Sequence, residues 1–295
     1  TTPYGNRLAW EDDWAGRYLI QNIAMQAFFF QPTVAYKIND QFSLGAGLIY
    51  AMGSVELSKA LPLPGPNNIG EASVTLKGSA SAIGGNFGLM YRPNPKVSFG
   101  LNYKTKMLIK VEDGDATFNT SSTFSTYFPK DNKFDAELPF PSSINFGVSF
   151  SPTDKLLVAA DINYIGWSAY DKLNFDFKTN TTQLADSENP REWDNTLIYR
   201  LGAQYKATEI LDLRAGLYYD STPIQDTLLN PETPGANKIG MSCGFSVKPM
   251  EKLSIDASFL YIKGLEREAE YKPSQFKGTY NTAAFIFGLG VTYNF

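Results

Sequence analysis

The stretch AAFIFGLGVTYNF (residues 283–295) decides the fold class. Along it Phe285, Phe287, Leu289, Val291, Tyr293 and Phe295 share one face of an extended chain, and Ile286, Gly288, Gly290, Thr292 and Asn294 share the other. Successive side chains of a strand point to opposite faces, so one face is a row of large apolar groups and the other is mostly small or polar. In a soluble sandwich the face turned away from the core carries Lys, Glu and Thr, whereas here glycine stands opposite Phe and Leu. A strand of this kind has hydrocarbon outside and a lumen inside, and the terminal Phe295 is the aromatic end that outer-membrane barrels present for insertion.

The same pattern recurs along the chain. Phe42, Leu44, Ala46, Leu48 and Tyr50 alternate with Ser43, Gly45, Gly47 and Ile49; Leu211, Leu213, Ala215, Leu217 and Tyr219 alternate with Asp212, Arg214, Gly216 and Tyr218. Comparable rows run through Val97–Lys104, Leu156–Tyr164 and Leu253–Tyr261. With their return partners these give roughly twelve strands of about ten residues, the length a tilted strand needs to cross a bilayer. Short turns at 39–40, 94–96, 152–154, 207–209 and 248–251 alternate with longer polar loops at 57–72, 112–136, 171–193, 221–238 and 264–282. The expected architecture is all-β: a single domain over residues 1–295, an antiparallel transmembrane β-barrel with short periplasmic turns and long extracellular loops in a bacterial outer membrane.

Composition agrees. No run approaches the 18 apolar residues of a membrane helix, while Phe, Tyr and Trp make up 14% of 295 residues, as interfacial aromatic girdles require. The chain has no histidine and a single cysteine, Cys243, which removes imidazole acid–base chemistry, His–metal sites, disulfides and cysteine zinc sites. No cofactor or metal is expected. A net charge of -4 gives no nucleic-acid footprint. No basic start and apolar run open the chain as a signal peptide would, so the sequence is expected to be mature, trimmed or partial.

Function is sought on the inward face. Lower inward positions are polar or small (Ser43, Gly45, Asp161, Arg214, Asp256, Gly290), and the inward charges are expected to pair with one another. Upper inward positions turn apolar: Ile23, Met25, Phe29, Ile49, Leu108, Ile165, Trp167, Ile198, Tyr218, Leu260, Ile262 and Ile286. An apolar pocket over a polar floor suits uptake of apolar molecules, and packing against infolded loops or a plug is the alternative. Lys104, Lys106 and Lys110 are placed with Leu108 on the same inward row, where cations would suit an anionic headgroup; lysines reaching for lipopolysaccharide or solvating the rim are the other reading. In the loops Leu57, Leu61 and Leu63, with Pro62, Pro64 and Pro66, form a stiff apolar segment, and Phe118, Phe124, Tyr127 and Phe128 stand in a polar one. They form either a capture groove or the packing that holds the loops together.

Three segments and the closing strand carry a family resemblance: Thr2-Pro3-Tyr4-Gly5; Glu11-Asp12-Asp13-Trp14-Ala15-Gly16-Arg17-Tyr18; Pro32-Thr33-Val34-Ala35-Tyr36-Lys37-Ile38-Asn39-Asp40; and Phe287 to Phe295. With these the chain resembles the FadL family of outer-membrane long-chain fatty acid and hydrocarbon transporters over essentially all its residues. The resemblance implies a monomeric barrel plugged by an N-terminal hatch, with ligand captured by extracellular loops, passed to a lumen pocket and released sideways at a kinked strand. That kink falls at Pro3, Tyr4 and Gly5, where proline and glycine suit broken ladder pairing. The hatch and first strands have no counterpart in these residues. The family's basic carboxylate-binding pair is not plainly kept either: Leu57 stands where one member would be and Arg191 lies near the other. Lys59, Lys104, Lys106 and Arg191 are therefore the carboxylate candidates, and a neutral hydrocarbon or aromatic ligand stays open.

The leading expectation is passive uptake of hydrophobic or amphipathic small molecules, long-chain fatty acids first, with membrane lipid and lipopolysaccharide as surroundings. A surface adhesin whose lumen is filler is the competing reading, and an outer-membrane lipase or protease lacks the residues for its chemistry.

Overall fold

Alternating rows make the chain a sheet throughout. The computed structural model describes residues 1–63 and 71–294; Pro64, Pro66 and the terminal Phe295 lie outside the described residues. Nineteen strand segments follow one another, with single turns of 3-10 helix at Ser122–Phe124, Trp167–Ala169 and Lys272–Ser274 and no α-helix among the described residues.

β1 (Gly5–Ala9) pairs with β2 (Asn22–Phe30), and β2 and β3 (Thr33–Lys37) both lie along β4 (Phe42–Pro62). β4 pairs over its full length with β5 (Glu71–Asn94), which carries β6 (Val97–Lys104) and β7 (Met107–Asn119) end to end on its far side. β8 (Asp131–Phe140) and β9 (Ser143–Thr153) form the next row, β10 (Leu156–Ile165) and β11 (Lys172–Phe177) the next, and β12 (Ser187–Pro190) with β13 (Thr196–Lys206) the one after. β14 (Leu211–Asp220), β15 (Lys238–Met250), β16 (Leu253–Gly264) and β19 (Ala283–Tyr293) then pair in order, all antiparallel. β17 (Arg267–Tyr271) and β18 (Phe276–Tyr280) make a separate hairpin.

The segments are thus nineteen rather than twelve, because five rows are each laid from two segments and β17 and β18 add a hairpin of their own. β4 and β5 run 21 and 24 residues, twice the expected length. Much of the sequence expected as loop at 57–72, 112–136 and 171–193 is strand. Among the described residues no pair joins β19 to β1 or β3, so the sheet has two edges and closure into a barrel is not shown by the pairing.

The breaks fall on one line. Lys104 pairs with Ser143 and Met107 with Phe140, which sets 105–106 opposite 141–142. Gly166 N donates to Ser142 O (2.9 Å) and Arg191 N to Asp171 O (2.7 Å), which continues the line through 166–171 and 191–195. On the other side Thr105 N donates to Gly85 O (3.0 Å), and Leu48 N, in the row between, donates to Pro32 O (3.2 Å). Pro32 and Pro141 have no N–H to give to a ladder, which favours a break where each stands.

Crossing this line changes the phase of the alternation. On β6, Asn102 and Lys104 are shielded while Leu101 and Tyr103 are exposed; on β7, Met107, Ile109 and Val111 are buried while Leu108 and Lys110 are exposed. A one-residue slip exchanges the faces of a strand. Lys106, Leu108 and Lys110, expected on the lumen row with Lys104, therefore point outward, and Lys110 pairs there with Glu137 (2.7 Å).

The outer face also changes at the line. Below it stand exposed Leu44, Leu48, Phe87, Leu89, Leu101, Phe146, Leu201, Leu217 and Phe245, and tyrosines 50, 103, 164, 199 and 219 stand near its level. At the lower end Phe42, Tyr91, Phe99 and Phe146 stack in a row with centroids 4.5, 6.1 and 6.5 Å apart. Phe42 to Tyr50 is about 26 Å along the strand before tilt, close to the apolar band of an outer-membrane protein. Above the line the outer face carries cross-strand ion pairs: Glu56–Lys77 (3.0 Å), Asp115–Lys133 (2.5 Å), Asp135–Lys178 (2.6 Å) and Glu188–Lys172 (3.4 Å). The lower sheet is built for hydrocarbon and the upper sheet for water.

Candidate functional site

The upper sheet curls far enough to bring β2 opposite β8 and β11. Across it the Tyr4 ring lies flat on Phe140, centroids 4.8 Å apart, and edge-on to Trp167 at 5.9 Å. Under this curl is a cavity of about 110 Å³, with walls from β2, β4, β5, β7, β8 and β11. Its lining is almost wholly apolar, with Ile23, Met25, Val55, Leu57, Ile109, Val111 and Phe134 prominent. Inward glycines widen it: a Cβ on Gly78 would stand 2.4 Å from Val111 Cγ1.

The floor is packed. Ala27, Phe29, Ile49, Ala51, Met107, Ile109 and Phe140 are buried together at the level of the breaks, with Tyr4 against them. Below it the lumen is polar: Arg200 donates to Asp161 (2.8 Å), and Arg214 donates to Gln204 (2.9 Å), Ser246 (3.0 Å) and Asp256 (3.1 Å).

One end of the cavity is charged. Residues 221–237, between β14 and β15, fold inward so that Leu229 is fully buried and Glu232 and Thr233 reach the cavity wall. Arg267 fastens this segment by donating to Asp226 (2.7 Å), Gly235 O (2.8 Å) and Ile224 O (2.5 Å). Asn6 donates to Glu232 O (2.9 Å) and Trp10 Nε1 to Pro231 O (3.3 Å), which ties it to β1 and the turn beyond. The Glu232 carboxylate accepts from Arg191 Nη2, and Arg191 is 2% exposed with its Cζ 5.9 Å over the Tyr170 ring. Arg191 Nε and Nη1 are buried with no hydrogen-bond acceptor among the described residues.

Burial works against the Arg191 proton, yet Glu232 and Tyr170 hold its pKa above the usual arginine value, so it is a fixed cation. Lys59 faces the same group: burial pulls its pKa below the ordinary 10.5, Glu232 opposes the shift and Arg191 adds to it. Burial pushes the Tyr170 hydroxyl up. The charged end is thus one buried ion pair, Arg191–Glu232, with Lys59 within reach of both charges.

Of the twelve residues expected to bind ligand, Ile23, Met25 and Trp167 line the cavity, and Phe29 and Ile49 form its floor. Leu108 points outward. Ile165, Ile198, Tyr218, Leu260, Ile262 and Ile286 stand on or beside the lumen of β10, β13, β14, β16 and β19, outside the cavity lining. Of the expected cations, Arg191 is buried on Glu232 and Lys59 feels the charge of both; Lys104 stays in the lower lumen row opposite Asn86, and Lys106 is outside. Leu57, Leu63 and Phe128 are buried with Ile20, Val74, Phe118 and Phe177, with Leu61 and Phe124 packed against them, so these residues form one apolar cluster that reaches the cavity through Leu57. At the expected kink, Gly5 opens β1 and Tyr4 enters the cavity, while Thr1 and Phe29 exchange backbone hydrogen bonds (3.0 and 2.8 Å). Glu232, Phe134, Val111 and Tyr170 were missed: the first lies in a loop with no periodicity, and the others stand beyond a phase change.

A family model described as "Outer membrane protein transport protein (OMPP1/FadL/TodX)" matches residues 1–295. Outer membrane protein P1 of Haemophilus influenzae is 27% identical over 88% of this chain, and the chain covers 63% of that protein, less than two thirds of its length. A long-chain fatty acid transport protein of Escherichia coli is 20% identical over 100% of this chain and 72% of its own. Among solved structures, a Pseudomonas aeruginosa FadL homologue superposes with a TM-score of 0.87 over 99% of this chain and 73% of its own, at 22% identity. The Pseudomonas putida toluene transporter TodX superposes with a TM-score of 0.69 over 99% of this chain and 76% of its own, at 17% identity.

Proposed function

The chain belongs to the outer membrane transport family OMPP1/FadL/TodX, and on that premise we propose that it takes up hydrophobic or amphipathic small molecules through the cavity beneath its upper sheet, long-chain fatty acids first among them. One observation carries this reading: a nearly all-apolar cavity is lined at one end by Glu232, whose carboxylate is held by the buried Arg191. An alkyl chain buried there gains about 25 cal/mol per Å² of apolar surface, and a carboxylate at the upper end meets a desolvated guanidinium. Names of relatives point the same way, since fatty acid and toluene transporters are among them. The reaction needs no covalent step.

Capture begins at the loop cluster around Leu57, Leu61, Leu63, Phe124 and Phe128, and exit is lateral, beside Pro3, Tyr4 and Gly5. The packed floor supports a sideways exit: an apolar ligand moving down would have to part Phe29, Ile49, Met107 and Phe140 and then enter a charged lumen. The sheet is proposed to close as a monomeric barrel whose outer belt meets membrane lipid. Equilibrium binding of labelled palmitate, compared between the parent and an Ile23→Arg, Ile109→Arg variant, tests the cavity. Saturable binding lost in the folded variant supports it, and equal binding in both removes the cavity from the transport path.

A further inference from the structure

Arg191 is not vacant. Glu232 is delivered to it by a loop with no other visible task at this depth, and Arg191 is 2% exposed with only one of its three nitrogens satisfied by that carboxylate. A buried ion pair is seldom chosen for stability, because desolvation offsets most of its attraction. A pair left half-satisfied at the end of an open apolar cavity is placed to exchange partners. Resting on the cavity reading above, we propose that Glu232 is a specificity-determining residue: it stands on Arg191 as a built-in carboxylate, so an acidic ligand must compete with it while an uncharged ligand of the same length need not.

The geometry supplies the reason. Glu232 and a fatty-acid headgroup offer the same two-oxygen acceptor to the same fork of donors, and both bidentate faces of Arg191 use Nη2, the nitrogen that Glu232 already holds. Arg191 Nε and Nη1 remain unmatched while Glu232 holds Nη2, so a second carboxylate oxygen has donors to accept from, at the cost of like-charge repulsion with Glu232. The consequence is a cavity with a muted preference for acids, suited to a mixture of neutral and acidic hydrophobic molecules.

The test compares palmitate with hexadecanol, equal in chain length and different in charge, on the full chain in lipid nanodiscs at neutral pH. Glu232→Gln keeps size and hydrogen bonding and removes the competing charge. The palmitate-to-hexadecanol affinity ratio should rise about tenfold or more, the value of one charge-assisted hydrogen bond, with hexadecanol itself unchanged. The Arg191→Gln, Glu232→Gln pair should abolish the rise, because the guanidinium that Glu232 occupies is gone. If Glu232→Gln does not fold, Glu232→Asp draws the carboxylate back by one methylene and should raise the ratio in the same direction. An unchanged ratio, or the same rise in the double variant, overturns the proposal. Hexadecanol and palmitate binding that is indifferent to Ile23→Arg overturns the cavity reading and this proposal with it, which separates the two failures.

Discussion

Tyr4 lies flat on Phe140, ring planes within 7° and centroids 4.8 Å apart, so the residue that precedes the first strand is fastened to the opposite wall of the cavity. That contact, with Trp167 edge-on at 5.9 Å, closes the lower end where lateral exit is proposed. Tyr4→Ala should lower folding stability by about 2 kcal/mol through lost aromatic burial. It should also speed ligand release several-fold, while Tyr4→Phe, which keeps the stack, stays near the parent. Thermal unfolding and dissociation of labelled palmitate measure the two effects, and a Tyr4→Ala release rate equal to the parent's would place the exit elsewhere.

The phase change at 105–106 gives a sharp contrast between neighbours. Ile109→Arg puts a charge into the cavity and should abolish ligand binding. Leu108→Arg, one residue away and outward, should leave it within about twofold. Ile262→Arg and Ile286→Arg, which stand outside the lining, should also leave it unchanged. Loss of binding in Leu108→Arg would mean that β7 faces the other way.

Headgroup binding should depend on pH through Lys59. The lysine attracts a carboxylate while protonated, and burial lowers its pKa from the ordinary 10.5. Attraction is therefore complete on the acid side and lost as pH rises through a value below 10.5. Palmitate affinity should fall by about tenfold across that titration while hexadecanol affinity stays flat, and Lys59→Met should remove the dependence. A palmitate profile identical in Lys59→Met would exclude the lysine from the headgroup site.

Tyr218 packs its ring over Gly240 on the next strand, and a Cβ there would stand 1.9 Å from Cε1. Gly240→Ala must displace the ring and should destabilise the sheet by about 1–3 kcal/mol, with Tyr218→Ala restoring most of the loss in the double variant. Additive losses in the double variant would show that the two positions do not touch.

The outer face predicts where the bilayer ends. Leu89 and Ser79 lie on one strand and one face, below and above the line of breaks. Leu89→Arg should cost about 2–4 kcal/mol of folding into vesicles, and Ser79→Arg close to nothing. Equal costs would move the membrane boundary.

The strand rows, the greasy exterior and the outer-membrane setting were legible in residues such as Phe285 to Tyr293, because alternation with period two is a local property that any stretch of sequence declares. Lys59 and Arg191 were candidates through the family resemblance, not through any pattern of their own. The rest depended on events that leave no periodic mark. A single residue of slack at 105–106 turned Leu108 out and Ile109 in, and only the pairing of Met107 with Phe140 fixes that phase. The 221–237 loop has no repeat from which its depth could be read, yet Asn6, Trp10 and Arg267 draw it down until Glu232 meets Arg191. Sequence by itself determined which residues belong in hydrocarbon and which strands alternate, since those follow from side-chain direction within one segment. Tertiary structure alone decided which apolar residues share a cavity and which charges share its end, since those contacts join segments that lie far apart along the chain and are set by register, breaks and curvature.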